Sequence, residues 1–112
     1  MIIAVPVTGS LLSQHFGHCE KFAAFLIDEE KKVILSISYL DAPPHEPGIL
    51  PGWLAEKDVN CVIACGMGSK AIKIFEENNI EVVTGAPEEN PINIIEDYLG
   101  GYLKTKANVC NH

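Results

Sequence analysis

Two imidazoles and a thiol stand within five positions in His15-Phe16-Gly17-His18-Cys19. Neutral imidazole and thiolate are the side chains that hold soft and borderline transition metals. The spacing matches neither a zinc finger nor a Cys-x-x-Cys pair. A second segment, Cys65-Gly66-Met67-Gly68, carries glycines that let backbone approach a ligand closely. The bland reading of that segment is a tight strand-to-helix turn. His45 lies between Pro44 and Glu46, in a proline-rich stretch where a histidine is most often simply solvated. Cys110-Asn111-His112 reads either as a ligand arm or as a loose end. Cys61 and Cys65 would share one face of a strand but stand about 13 Å apart at about 3.3 Å per residue. Together they are too far apart to chelate one ion. Cys61 reads as core packing. Cys65, at the strand end, is placed to face a site.

The elements that must position these residues follow from hydrophobic periodicity. Met1 to Val7 is apolar and β-branched and reads as a buried strand. Thr8 to Glu20 reads as a loop. Phe22 to Asp28 and Val33 to Leu40 read as strands of a hairpin, joined by the charged turn Glu29-Glu30-Lys31-Lys32. A short helix is expected to end near Lys57, with Ile49/Trp53 and Leu50/Leu54 at i,i+4. Val59 to Ala64 reads as a fourth strand. A helix over Lys70 to Asn79 follows, for which Ser69 is a candidate cap. Ile80 to Val83 reads as a fifth strand. Asn90 is expected to cap a last helix with Pro91 at its first position. Its stripe is Ile95, Tyr98, Leu99, Tyr102 and Leu103.

This order predicts an α/β fold: one mixed five-stranded sheet with helices on its faces. The hairpin lies on one side of the first strand, and strands four and five on the other. Ligands in open sheets bind outside the strand ends at such a switch. The loop Gly9 to Cys19 and the bend Cys65 to Gly68 meet there. The bend also opens a helix, whose N–H groups and dipole favour an anion.

Bulk properties exclude other classes. A chain of 112 residues is one domain, expected over residues 1–104 with a flexible tail over 105–112. Hydrophobic residues at 47% and charged residues at 21% argue against disorder. The net charge of -7, with no arginine, disfavours nucleic acid as a partner. No run approaches the roughly 20 apolar residues of a membrane span. A cytoplasmic location is expected, where four cysteines serve as thiols or metal ligands rather than disulfides. No G-x-S-x-G, Walker A or H-E-x-x-H sequence is present. The acidic runs Asp28-Glu29-Glu30, Glu76-Glu77 and Glu88-Glu89 read as solvated faces. A two-metal nuclease would need carboxylates, and the first strand has none.

Several pieces, in order, resemble the dinitrogenase iron–molybdenum cofactor-binding family, which includes NifX and the carboxy-terminal part of NifB. They are Ile2 to Val7, His15-Phe16-Gly17-His18, Lys21-Phe22, Gly52-Trp53-Leu54-Ala55 and Val62-Ile63-Ala64-Cys65-Gly66-Met67-Gly68. Ala71, Phe75 and Asn79-Ile80-Glu81-Val82 complete a match over about residues 1 to 103. The resemblance implies a ribonuclease H-like three-layer fold. It implies a protein that carries or helps assemble an iron–sulfur or iron–molybdenum type cluster, with cluster donor or acceptor proteins as partners. By position the implied site is His15, Gly17, His18, Gly66, Met67 and Gly68. Chemistry adds Cys65 beside the cargo, and Cys19 and His45 to His15 and His18 as metal ligands. Imidazole must be neutral to ligate, so binding should weaken as pH falls toward about 6.5. The expectation is a binder rather than a catalyst. The alternatives are a protein-interaction or regulatory domain, and a small enzyme holding an anionic metabolite at the Gly66–Gly68 turn.

Overall fold

The central strand β1, Ile2–Thr8, is apolar because helices cover both of its faces. The structure is a computed structural model that describes residues 1–43 and 49–106. Strand β3 (Lys21–Asp28) pairs antiparallel with β1, and β4 (Val33–Asp41) pairs antiparallel with β3. On the other side β5 (Cys61–Ile63) runs parallel to β1, and β6 (Glu81–Val83) runs parallel to β5. The order is β4-β3-β1-β5-β6, so the switch lies between β1 and β5, where the sequence placed it.

The sheet has six strands rather than the expected five. The extra strand is β2, Leu11–Leu12, which folds back antiparallel on the end of β1. Gly9 turns the chain there with φ 65, a left-handed conformation that glycine adopts at no steric cost. Two residues are too few to show a period of two, so β2 was invisible in the pattern. The segment Phe16–His18 forms a short 3-10 helix within the same expected loop.

Helices α1 (Ile49–Glu56) and α2 (Ser69–Glu77) cover one face, and α3 (Pro91–Gly100) covers the other. Alternation along the strands splits the core accordingly. Ile3, Val5, Cys61 and Ile63 join Ile94 and Ile95 beneath α3. Ala4, Phe22 and Val62 join Leu54 and Phe75 beneath α1 and α2. Each large apolar side chain buried this way contributes about 1.5–3 kcal/mol.

Two helix details differ from expectation. Ser69 does not cap α2: Gly68 holds the cap position, and no side-chain hydrogen bond closes the helix start. Tyr102 is 77% exposed rather than buried, because α3 stops at Gly100 and Gly101 takes the left-handed φ of 79. Ile94 takes a core place the predicted stripe omitted. At the helix start the expectation holds: Asn90 accepts the Ile92 N–H through its side chain at 2.9 Å, with Pro91 in the first turn. No helix among the described residues is long and apolar enough to cross a membrane.

Candidate functional site

The loop after β1 is fixed by a ladder of backbone bonds. Glu20 N–H donates to the Val7 carbonyl at 3.1 Å, and Ser13 N–H donates to the Pro6 carbonyl at 2.9 Å. The Thr8 and Ser13 hydroxyls are 2.6 Å apart, which satisfies the one buried polar side chain in this turn. Gly9 N–H donates to the Glu20 carboxylate at 2.8 Å.

The loop then reaches the glycine bend. Phe16 N–H donates to the Gly66 carbonyl at 3.0 Å, and His15 pairs with Gly66 as a single parallel bridge. Phe16 is the anchor of this contact. Its ring stands edge-on to Phe75 of α2 at 5.4 Å and tilted against Phe22 of β3 at 5.6 Å. One aromatic cluster therefore ties the histidine loop, the sheet and α2 together. The sequence pattern marked His15 and His18 and passed over Phe16 as a spacer. Its large apolar ring between His15 and Gly17 was the available signal.

The predicted site residues divide into distinct groups. His15 is exposed beside the bend, Gly17 is half-buried, and the His18 backbone completes the 3-10 turn. Gly66 and Gly68 both precede α2, with Gly68 at its cap position. Met67 is 1% exposed and packs in the core with Phe16 and Phe75, so it faces the bend with backbone rather than thioether. Cys65 packs on the α3 side of the sheet, opposite Phe16 and Met67. Strand alternation sends its side chain to the face of Cys61 and Ile63. Cys19 is half-buried against the α1/α2 core, and burial pushes its thiol up to about 11, so it stays protonated at neutral pH. His45, Cys110 and His112 lie outside the described residues. Among the described residues, no group of three or more His, Cys, Asp or Glu side chains converges to hold a metal ion.

Cys61 behaves as expected of a core thiol. Burial, then the nearby Glu81 carboxylate, raise it to about 12 even though the Tyr98 hydroxyl bonds to it. Burial, then Cys61 and the Glu81 carboxylate, raise Tyr98 to about 12.

The start of α2 has the electrostatics of an anion site. Its first turn carries Lys70 and no acidic residue, whereas Glu76 and Glu77 fall in its last turn. This runs opposite to the arrangement that a helix dipole favours. Gly68 has φ -66 and ψ 149, extended backbone that any residue adopts, so chain geometry does not require glycine there. A shallow cavity of about 280 Å³ opens elsewhere, beside the start of α3, lined by Lys21, Tyr39 and Asn90 among others. The Asn90 side chain already occupies that helix end.

Comparison with known proteins places this geometry. Residues 1–101 match the family model described as dinitrogenase iron-molybdenum cofactor. An uncharacterized protein of Methanocaldococcus jannaschii is 31% identical over 85 residues, covering 73% of this chain and 72% of that one. The FeMo cofactor biosynthesis protein NifB of Chlorobaculum tepidum is 30% identical over 87 residues, covering 74% of this chain but only 20% of NifB. The crystal structure of PH0822 superposes with a TM-score of 0.88 at 27% identity, covering 96% of each chain.

Proposed function

Because the chain belongs to the dinitrogenase iron-molybdenum cofactor family, we propose that it carries an iron–sulfur or iron–molybdenum type cluster as cargo between donor and acceptor proteins. Family membership favours a binder over a catalyst. The observation that carries the reading is the Phe16-to-Gly66 hydrogen bond, which sets the imidazole loop against the start of α2.

A sulfide-bridged cluster is anionic. The N–H groups at the start of α2 and the Lys70 ammonium favour an anion there. Gly17, Gly66 and Gly68 let a bulky cargo approach the backbone, and Met67 offers its backbone from the same bend. His15, with His18, ligates an exposed metal through the neutral ring. His45 and Cys19 are further candidate ligands. Cys19 must release its proton to the solvent to bind, which its raised pKa opposes. Cys65 supports the bend from beneath rather than offering its thiol. The ribonuclease H-like name for the three layers and a cytoplasmic location belong to this reading.

The test is anaerobic reconstitution with iron and sulfide, following absorbance and bound metal per chain. The parent should load, and a His15→Ala/His18→Ala protein should load several-fold less. Equal loading removes both histidines from the site. A competing small-enzyme reading has the same anion site in its favour. Turnover of a phosphorylated or carboxylated metabolite by metal-free protein would support it.

A further inference from the structure

The two edges of the sheet differ. Edge strand β6 is three residues long and opens on the charged Glu81, which discourages another strand from joining it. Edge strand β4 is nine residues long, and Val33 to Leu40 carries neither charge nor proline. Leu35 and Tyr39 are 58% and 60% exposed. Among the described residues, no strand pairs with the outer side of β4. A long apolar edge of this kind is a template for another strand.

The backbone bonds fix which groups point outward. Met1 and Ile27 exchange bonds at 3.3 and 2.8 Å, and Ala42 N–H donates to the Glu20 carbonyl at 3.3 Å. Antiparallel alternation then turns Ser36, Ser38 and Leu40 toward β3, and Ile37, Tyr39 and Asp41 outward. The register shift between Leu26 and Ile27 leaves Leu35 without a partner in β3, so the regular outer edge runs from Ile37 to Asp41.

We infer that this edge pairs with the same edge of a second copy, antiparallel about a two-fold axis at Ser38, joining two sheets into one. Centred there, Ile37 of each copy exchanges backbone bonds with Tyr39 of the other. Both side chains lie on the α3 face, where Ile37 packs on the core and Tyr39 lines the shallow cavity. Aromatic and β-branched side chains directly opposite one another attract. On the other face the exposed Ser38 meets its own copy, a hydroxyl pair able to hydrogen-bond. A register centred on Tyr39 would set Ile37 against the Asp41 carboxylate, and one centred on Ile37 would set Tyr39 against the irregular Leu35. The ends are complementary in charge, because Asp41 of one copy runs toward Lys31 and Lys32 of the other. Two acids beside those lysines are engaged: the Asp28 carboxylate accepts the Glu30 and Lys31 N–H groups at 3.0 Å, and Glu29 lies 3.9 Å from the N-terminal ammonium. One strand edge buries less than the ~800 Å² per partner of a standard interface, so the dimer is weak and concentration-dependent. The cleft at β1 and β5 lies two strands in from this edge and stays open. The inference is therefore independent of the cargo reading.

The test is sedimentation of the metal-free full chain under reductant, from about 10 µM to about 1 mM. The parent should pass from monomer to dimer over that range. Ser38→Lys and Ser38→Glu each set like charges directly opposite and should stay monomeric, whereas an equimolar mixture of the two should dimerise at least as well as the parent. Near-ultraviolet dichroism of Trp53 should be unchanged in both, since Ser38 is exposed. In the concentrated parent, hydrogen exchange should slow at the Ile37 and Tyr39 amides and stay as in dilute protein at Ser38, which β3 already holds. A parent that is monomeric throughout overturns the inference and leaves the edge to a strand of a different protein. Lysine and glutamate variants that each dimerise as the parent does, or a mixture that does not dimerise, overturn the pairing about Ser38.

Discussion

Helices α2 and α3 begin at corresponding ends of the sheet and are finished in opposite ways. At α3, Asn90 caps the first turn, Pro91 supplies a residue that needs no donor, and Gly101 turns the chain out. Tyr102 N–H donates back to the Asp97 carbonyl at 2.7 Å. Such a helix uses local chemistry for stability. At α2 a glycine stands where a capping side chain would be, a lysine sits in the first turn, and two glutamates sit in the last. Every one of these choices is unfavourable or neutral for an isolated helix. The stability of α2 comes instead from Phe75 and its aromatic neighbours. In the proposed cargo role, the open end of α2 is the receiving end and the closed end of α3 is scaffold.

Four substitutions or conditions press on that contrast. The largest effect belongs to Phe16→Ala, which removes a ring buried between α2 and β3. It should cost about 3–5 kcal/mol in urea unfolding and abolish cluster loading; unchanged loading would mean that the loop needs no anchor. Alkaline titration comes next. Cys19, Cys61 and Tyr98 all have raised pKa values in the folded chain. Stability from keeping them neutral is complete below their ordinary values of 9.0 to 10.0 and is lost as pH rises toward about 12. The urea midpoint should fall over that range, and fall less in Cys61→Ala, which lies on the scaffold side.

Asn90→Ala should cost about 1 kcal/mol by loss of the α3 cap while leaving loading intact. Reduced loading there would move the receiving end to α3. The smallest change in stability is expected from Lys70→Glu. It should stabilise α2 by about half a kcal/mol and yet weaken loading, a trade visible by comparing melting temperature with bound metal.

Much of this arrangement was legible in the residues. The long apolar runs of β1 and β3 set the strand order, and Asn90-Pro91 marked the start of α3, because burial and capping leave dense local signals. The meeting of the histidine loop with the glycine bend followed from the switch in that order. Single side-chain directions were harder to read. Cys65 and Met67 flank one glycine yet fall on opposite faces, because the strand's alternation carries Cys65 to the α3 side and breaks at the Gly66 bend, which turns Met67 toward α2. Tyr102 fitted the helical stripe in sequence but lies beyond the glycine that ends the helix. Ser69 had the chemistry of a cap, but the helix began one residue earlier than its spacing implied.

The most direct test of the open-end account is amide NMR of the protein before and after reconstitution with an iron–sulfur cluster. A paramagnetic cargo at the bend should broaden the amides of Gly17 and of Gly66 through Ala71, and leave those of Ile92 through Ile95 sharp. Broadening centred on the start of α3, with the α2 start unaffected, would contradict it.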